Sequence, residues 1–235
     1  MKKLFLSILF LTFMISGLIA GDVATFVDKG FSEDGKYYIF GQYGRTDKKY
    51  QGWAEIYNVD IAENDYVDGG VFRTKPSAVT ADKSGSEVYQ ALEAKSYYYF
   101  KNIKTKVATP ENILYVCDDE NKTGSDKIVF KDFRNDDIEN ADTYTVQLVS
   151  TILNSGKNVK SSFYILVEKK DKNGNVILTK KVGSPNIVRK GISNYKIERI
   201  MCDESEKNLI FVVEKIQEDD TGISIRYMVE AAKVD

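Results

Sequence analysis

Apolar and polar residues alternate with period two along most of this chain, the pattern of half-buried strands. Lys36–Tyr43 and Trp53–Ile61 read this way near the start, the second with Trp53, Tyr57, Val59 and Ile61 on one face. Further candidates are Ile113–Cys117, Lys127–Phe133, Tyr144–Leu153, Ser162–Glu168, Val176–Lys181, Tyr195–Met201, Leu209–Lys215 and Ile223–Ala231. Tyr and Val are frequent in them, as strands prefer. Turn signals separate them: Asp34-Gly35, Asn173-Gly174 and Asp219-Asp220-Thr221-Gly222. The pattern predicts a mainly β fold of about eleven short antiparallel strands, arranged as a distorted propeller or as two packed sheets.

One segment has a different period. Ser84 and Glu87 stand at capping-box spacing, and Val88, Leu92, Tyr99 and Ile103 follow at helical spacing. Lys101, Lys104 and Lys106 crowd the far end, where cations suit the helix dipole, and Pro110 supplies a stop. These residues predict one inserted helix over 85–104. The polar stretch Gly183–Gly191 reads as a loop between two strands.

The start of the chain has a third pattern. Lys2 and Lys3 precede the apolar run Leu4–Ile15, and Ser16, Gly17 and Ala20 precede a polar Gly21-Asp22. That is the three-part layout of a secretory signal peptide. Residues 1–20 are read as the signal and 21–235 as a single exported β-rich domain. An uncleaved anchor is the alternative, because Leu4–Gly21 is uncharged and near the short limit for a span. After cleavage no membrane span is expected, and the location is periplasmic or secreted.

Composition narrows the chemistry. The 235 residues include 33 Lys+Arg, 35 Asp+Glu and no His. Without histidine there is no Ser-His-Asp or Cys-His catalysis and no His-ligated metal. Loss of Lys2 and Lys3 leaves 31 basic against 35 acidic residues, a net charge of −4. A nucleic-acid binder would be basic, so no nucleic-acid partner is expected. The acidic groups Asp118-Asp119-Glu120, Asp136-Asp137, Glu218-Asp219-Asp220 and the Asp171–Asn175 stretch read as solvated turns rather than calcium sites. No metal and no cofactor are expected.

A weak internal repeat links the two ends. Ser32–Phe40 and Asp203–Phe211 share Glu, Lys, Ile and Phe by position, and each leads to a second strand, AEIYNVDIA or ISIRYMVEAA. A third copy begins at Cys117-Asp118-Asp119-Glu120 and leads to Lys127–Phe130. FSEDGKYYIF followed by AEIYNVDIA resembles a repeat of Tol-type periplasmic β-propellers. The layout as a whole resembles a bacterial family of predicted secreted proteins, a domain of unknown function. There Gly30–Phe40 matches the opening blade motif, Ile56–Asp60 the IYxxD motif, and Ile210–Ala231 the closing stretch. This resemblance implies export and a β-rich fold, and it implies no activity and no catalytic residue.

The remaining candidates concern binding. Cys117 and Cys202 permit a disulfide in an exported chain, with two buried thiols as the alternative. Tyr50 and Trp53, in or beside the loop between the first two strands, and Tyr57 offer aromatic planes for a protein contact or a sugar ring. Arg189 could hold a carboxylate or phosphate. The tyrosines of Tyr97–Phe100, with lysines nearby, could touch a membrane surface. The chain is therefore read as a non-enzymatic module that binds an envelope protein. A glycan- or small-ligand-binding module is the alternative, and a carboxylate-based hydrolase the last choice.

Overall fold

A computed structural model describes residues 22–46, 49–118, 127–132, 137–219 and 222–234. The signal-like residues 1–20, and with them Gly21, Asp119, Glu120, Phe133, Asp136, Asp220 and Thr221 of the segments above, lie outside the described residues. Strands β1 (Thr25–Ser32), β2 (Tyr37–Arg45), β3 (Gly52–Asp60) and β4 (Asp65–Thr74) form an antiparallel meander. Helix α1 (Gly85–Phe100) follows, and then the short β5 (Thr105–Lys106), which adds to the free edge of β1. Next come β6 (Ile113–Val116) and a second meander of β7 (Ile128–Lys131), β8 (Thr143–Leu153), β9 (Lys160–Lys170) and β10 (Val176–Lys190). The chain ends in β11 (Asn194–Cys202), β12 (Asn208–Asp219) and β13 (Gly222–Lys233), which join β6 in the order β13-β12-β11-β6.

The sheet containing β12 is the middle layer. Leu209, Phe211 and Val213 pack against the β7–β10 sheet, while Ile210 and Val212 pack against the β1–β5 sheet. A strand buried on both faces must be apolar at every position, and Leu209–Val213 is an unbroken apolar run. The outer face of the β1–β5 sheet is covered by α1, through Val88, Tyr89 and Leu92 on Ile39, Ala54 and Ile56. Gly41 lets the helix come this close, since a Cβ there would lie 2.5 Å from the Tyr89 ring.

Mainly β with one inserted helix is what the structure has. The thirteen strands among the described residues exceed the expected eleven, and there are three sheets rather than two. β1 and β4 escape the pattern because each is interrupted. β1 carries a bulge at Asp28–Gly30, with Gly30 at φ +96°, and β4 carries Gly69-Gly70. Gly183–Gly191 is not a loop: up to Lys190 it continues β10, paired again with β9 at Arg189↔Ser161 after an irregular stretch. The helix has the expected capping box of Ser84 and Glu87. It ends at Phe100, ahead of Pro110, where Ile103 N–H turns back to the Phe100 carbonyl and the chain enters β5.

The strands of the terminal repeats lie in adjacent sheets. Phe40 and Tyr57 of one meet Ile210, Val212 and Val229 of the other in a shared core. Their acidic turns also touch, with Asn208 Nδ2 donating to the Gly35 carbonyl at 3.2 Å. Residues 22–24 run along the edge of β13, with a parallel bridge at Val23↔Ile225. No helix among the described residues is long and apolar enough to cross a membrane.

Candidate functional site

Where β3 and β4 approach β10 and β13, the three sheets leave a cleft of about 720 Å³. β3 contributes Tyr57, and β4 contributes Tyr66 and Arg73. Arg189 comes from the irregular end of β10, Lys215 from β12 and Glu230 from β13. Six basic side chains line it (Arg73, Lys180, Lys181, Arg189, Lys215 and Lys233) against three acidic ones (Glu63, Asp65 and Glu230). The lining is therefore net positive in a chain that is net negative.

Two carboxylates at the cleft are fully engaged. Glu55, behind Tyr57, accepts hydrogen bonds from the Tyr57 hydroxyl at 2.5 Å and from Gln42 Nε2 at 2.8 Å. It also pairs with Arg73 Nε at 3.2 Å. Glu230 is buried, accepts from Asn64 Nδ2 at 2.6 Å and faces Arg189 Nη2 at 3.6 Å. Burial pushes the Glu230 carboxyl above its ordinary range, with Asn64 and Arg189 opposing. Gly183, at φ +77°, keeps the backbone of β10 clear of that carboxylate, since a Cβ would lie 3.1 Å from Oε2. Burial and the neighbouring carboxylates hold the Tyr57 and Tyr66 hydroxyls well above their usual range, so both stay neutral.

Lys215 is the exception. It has no hydrogen bond and no ion pair within 4.0 Å among the described residues. Burial pushes its ammonium down to about 8; Glu55 opposes this, and Arg189, Arg226 and Arg73 add to it. Register supplies part of the reason: Lys215 lies directly opposite Arg226 on β13, and like charges in that relation repel. An anion seated in the cleft would neutralise this excess.

A family model described as a predicted secreted protein, DUF2259, matches residues 39–233. The chain belongs to this family. No curated protein matches it. The match runs from within β2 to the last residue of β13, so it takes in every residue of the cleft.

Of the residues singled out from sequence, Tyr57 and Arg189 come together in the cleft. Tyr50 and Trp53 do not join them. Tyr50 is exposed on its loop at φ +47°, with the Arg45 guanidinium 5.1 Å from its ring centre. Trp53 is buried rather than offered to a partner. Its Nε1 donates to Asp22 at 2.9 Å, and Arg226 stacks on its ring at 4.0 Å while pairing with Asp22 at 2.5 Å. The indole thus fastens residues 22–24 to β13.

No disulfide joins Cys117 and Cys202. Their strands are neighbours, but the register separates them. The Cys117 N–H bonds the Glu198 carbonyl, and Cys202 is four residues farther along β11. That is roughly 13 Å at strand rise, against the ~7 Å that bridging allows. Asp171 accepts from the backbone of Asn173 and Asn175, the expected hairpin turn. Among the described residues no group of three or more acidic or cysteine side chains is placed to hold a metal.

The cleft residues missed from sequence are Asn64, Tyr66, Arg73, Lys215 and Glu230. The available signal was a charge set inside an apolar strand, as in VVEKI and MVEAA. Nothing in the pattern says that these strands, and the irregular end of β10, converge on one place.

Proposed function

We propose that this member of the predicted secreted family is an exported, non-enzymatic binding module whose cleft takes an anionic small molecule, a carboxylate or a phosphate. The observation that carries the reading is Lys215, a cation held among arginines with no ion pair within 4.0 Å among the described residues. Tyr57 and Tyr66 give the cleft aromatic walls and neutral hydroxyls beside it. Binding rather than turnover is favoured because Glu55 and Glu230, the carboxylates beside Arg73 and Arg189, are both engaged by neighbours rather than free to act as a base. An envelope protein as the partner has less support, because, of the Tyr50–Trp53 loop expected to carry the contact, only Tyr50 is exposed, while Trp53 is buried. The setting is the cell envelope, periplasmic or outside.

Thermal unfolding of the exported chain against inorganic phosphate, citrate, glucose and calcium tests this. A ligand at 100 times its Kd adds about 2.7 kcal/mol, roughly 5–10 °C for a domain of this size. Stabilisation by phosphate or citrate alone is the expected result. Stabilisation by glucose or calcium instead, or by none of the four, overturns the reading.

A further inference from the structure

The second meander has a feature independent of the cleft. Neither Thr143–Val167 nor Val176–Ile197 contains an acidic residue, although the chain has 35. At the end of the sheet these stretches form one surface, because Leu153 lies opposite Lys160 on β9 and Lys160 opposite Lys190 on β10. A shallow hollow of about 610 Å³ opens there, lined by Lys157, Lys160 and Lys190 with Asn154, Ser155 and Asn158, and with no carboxylate among the described residues of its lining. Large aliphatic side chains stand at the same end: Ile152 is 44% exposed, Leu153 53% and Val188 55%.

We propose that this end of the β7–β10 sheet docks on an anionic lipid surface. The lysine-lined hollow receives a phosphate headgroup, and Ile152, Leu153 and Val188 enter the boundary of the acyl chains. Charge complementarity favours this occupant. Lysines are flexible point charges that suit mobile headgroups, and a protein partner would more often meet aromatic and Arg anchors. Apolar insertion and basic attraction together supply the two signals that stable peripheral binding needs. An exported chain meets such a surface in the envelope.

The test is co-sedimentation of the exported chain with two vesicle types, phosphatidylcholine alone and phosphatidylcholine mixed with phosphatidylglycerol. Binding to the mixed vesicles only, weakening with salt, is the expected result. Lys160→Gln with Lys190→Gln lowers partitioning about thirtyfold, at roughly tenfold or less per lysine. Leu153→Ser lowers it while keeping the salt dependence. Unchanged melting curves show that these variants fold. An exposed aromatic patch elsewhere is the control: Tyr98→Ser on α1, where Lys101 stacks on the ring, leaves binding unchanged. Equal binding to both vesicle types, no binding to either, loss through Tyr98→Ser but not through the lysine pair, or binding of inorganic phosphate without vesicles each overturns the proposal.

Discussion

Lys215 sits opposite Arg226 and near Arg73 and Arg189, with the Glu55 carboxylate acting in its favour. Its folded pKa, about 8, lies below the ordinary value of 10.5. Between those two values the unfolded chain binds more protons than the folded one, so stability rises with pH across that window. Below pH 8 both states are protonated and the full cost is present. Lys215→Met removes the charge and keeps the stem. It is expected to raise stability at pH 7 by about 1–2 kcal/mol and to abolish the rise between pH 8 and 10. Urea unfolding of both proteins across that range checks it. Legibility at this scale was uneven. Arg189 was recognised as an anion-binding candidate, and its environment contains an internal carboxylate, Glu230. Trp53 reads as a surface contact from sequence, because period two says which face a residue is on and not what covers that face. For Lys215 the sequence shows only a charge inside an apolar strand, because its cost comes from Arg226 across the ladder and from arginines on other sheets.

Single elements were readable where one rule dominated. The Ser84–Glu87 box placed the helix start correctly, because capping is local and needs four residues. The apolar run of β12 marked a strand, and burial on both faces explains its continuity. Elements that bend were not readable. β1 is bulged around Gly30, whose positive φ is open to glycine at little cost. A Cβ at Gly30 would also lie 2.0 Å from the Lys106 carbonyl oxygen. Gly30→Ala is therefore expected to displace β5 from the edge of β1 and to cost about 2 kcal/mol or more. Hydrogen exchange should show the loss first at Thr105 and Lys106, with the β12–β13 ladder still protected. From sequence β10 looks short, because Gly183, Pro185 and Gly191 look like loop residues, yet its far end pairs with β9 again and delivers Arg189 to the cleft.

At the scale of the molecule, the fold is a stack in which one sheet is buried between two others and the helix closes one outer face. The terminal repeats fall in adjacent layers, so the resemblance between Ser32–Phe40 and Asp203–Phe211 marks equivalent hairpins that pack together. The β class is accessible from periodicity, but the full strand count and the partition into three sheets are not, since β1 and β4 are interrupted and pairing partners such as β6 and β11 are far apart in sequence. The stack holds without a crosslink. Cys117 and Cys202 are separated by register, so stability of the exported chain is expected to be the same with and without reductant, measured by thermal unfolding. A fall in midpoint on reduction would mean that the register between β6 and β11 differs from the one described. The cleft belongs to this scale too, as it exists only because the edges of β4, β10 and β13 come together.

Anion binding at the cleft, as proposed, turns on Lys215. The most direct measurement is the pH dependence of acylation at the Lys215 amine, read by peptide mass spectrometry with and without inorganic phosphate or citrate. The account predicts half-maximal reactivity near pH 8 in the free protein, moved to higher pH when one of these anions is bound. Reactivity that titrates near 10.5, as an exposed lysine does, or a midpoint that neither anion moves, would contradict it.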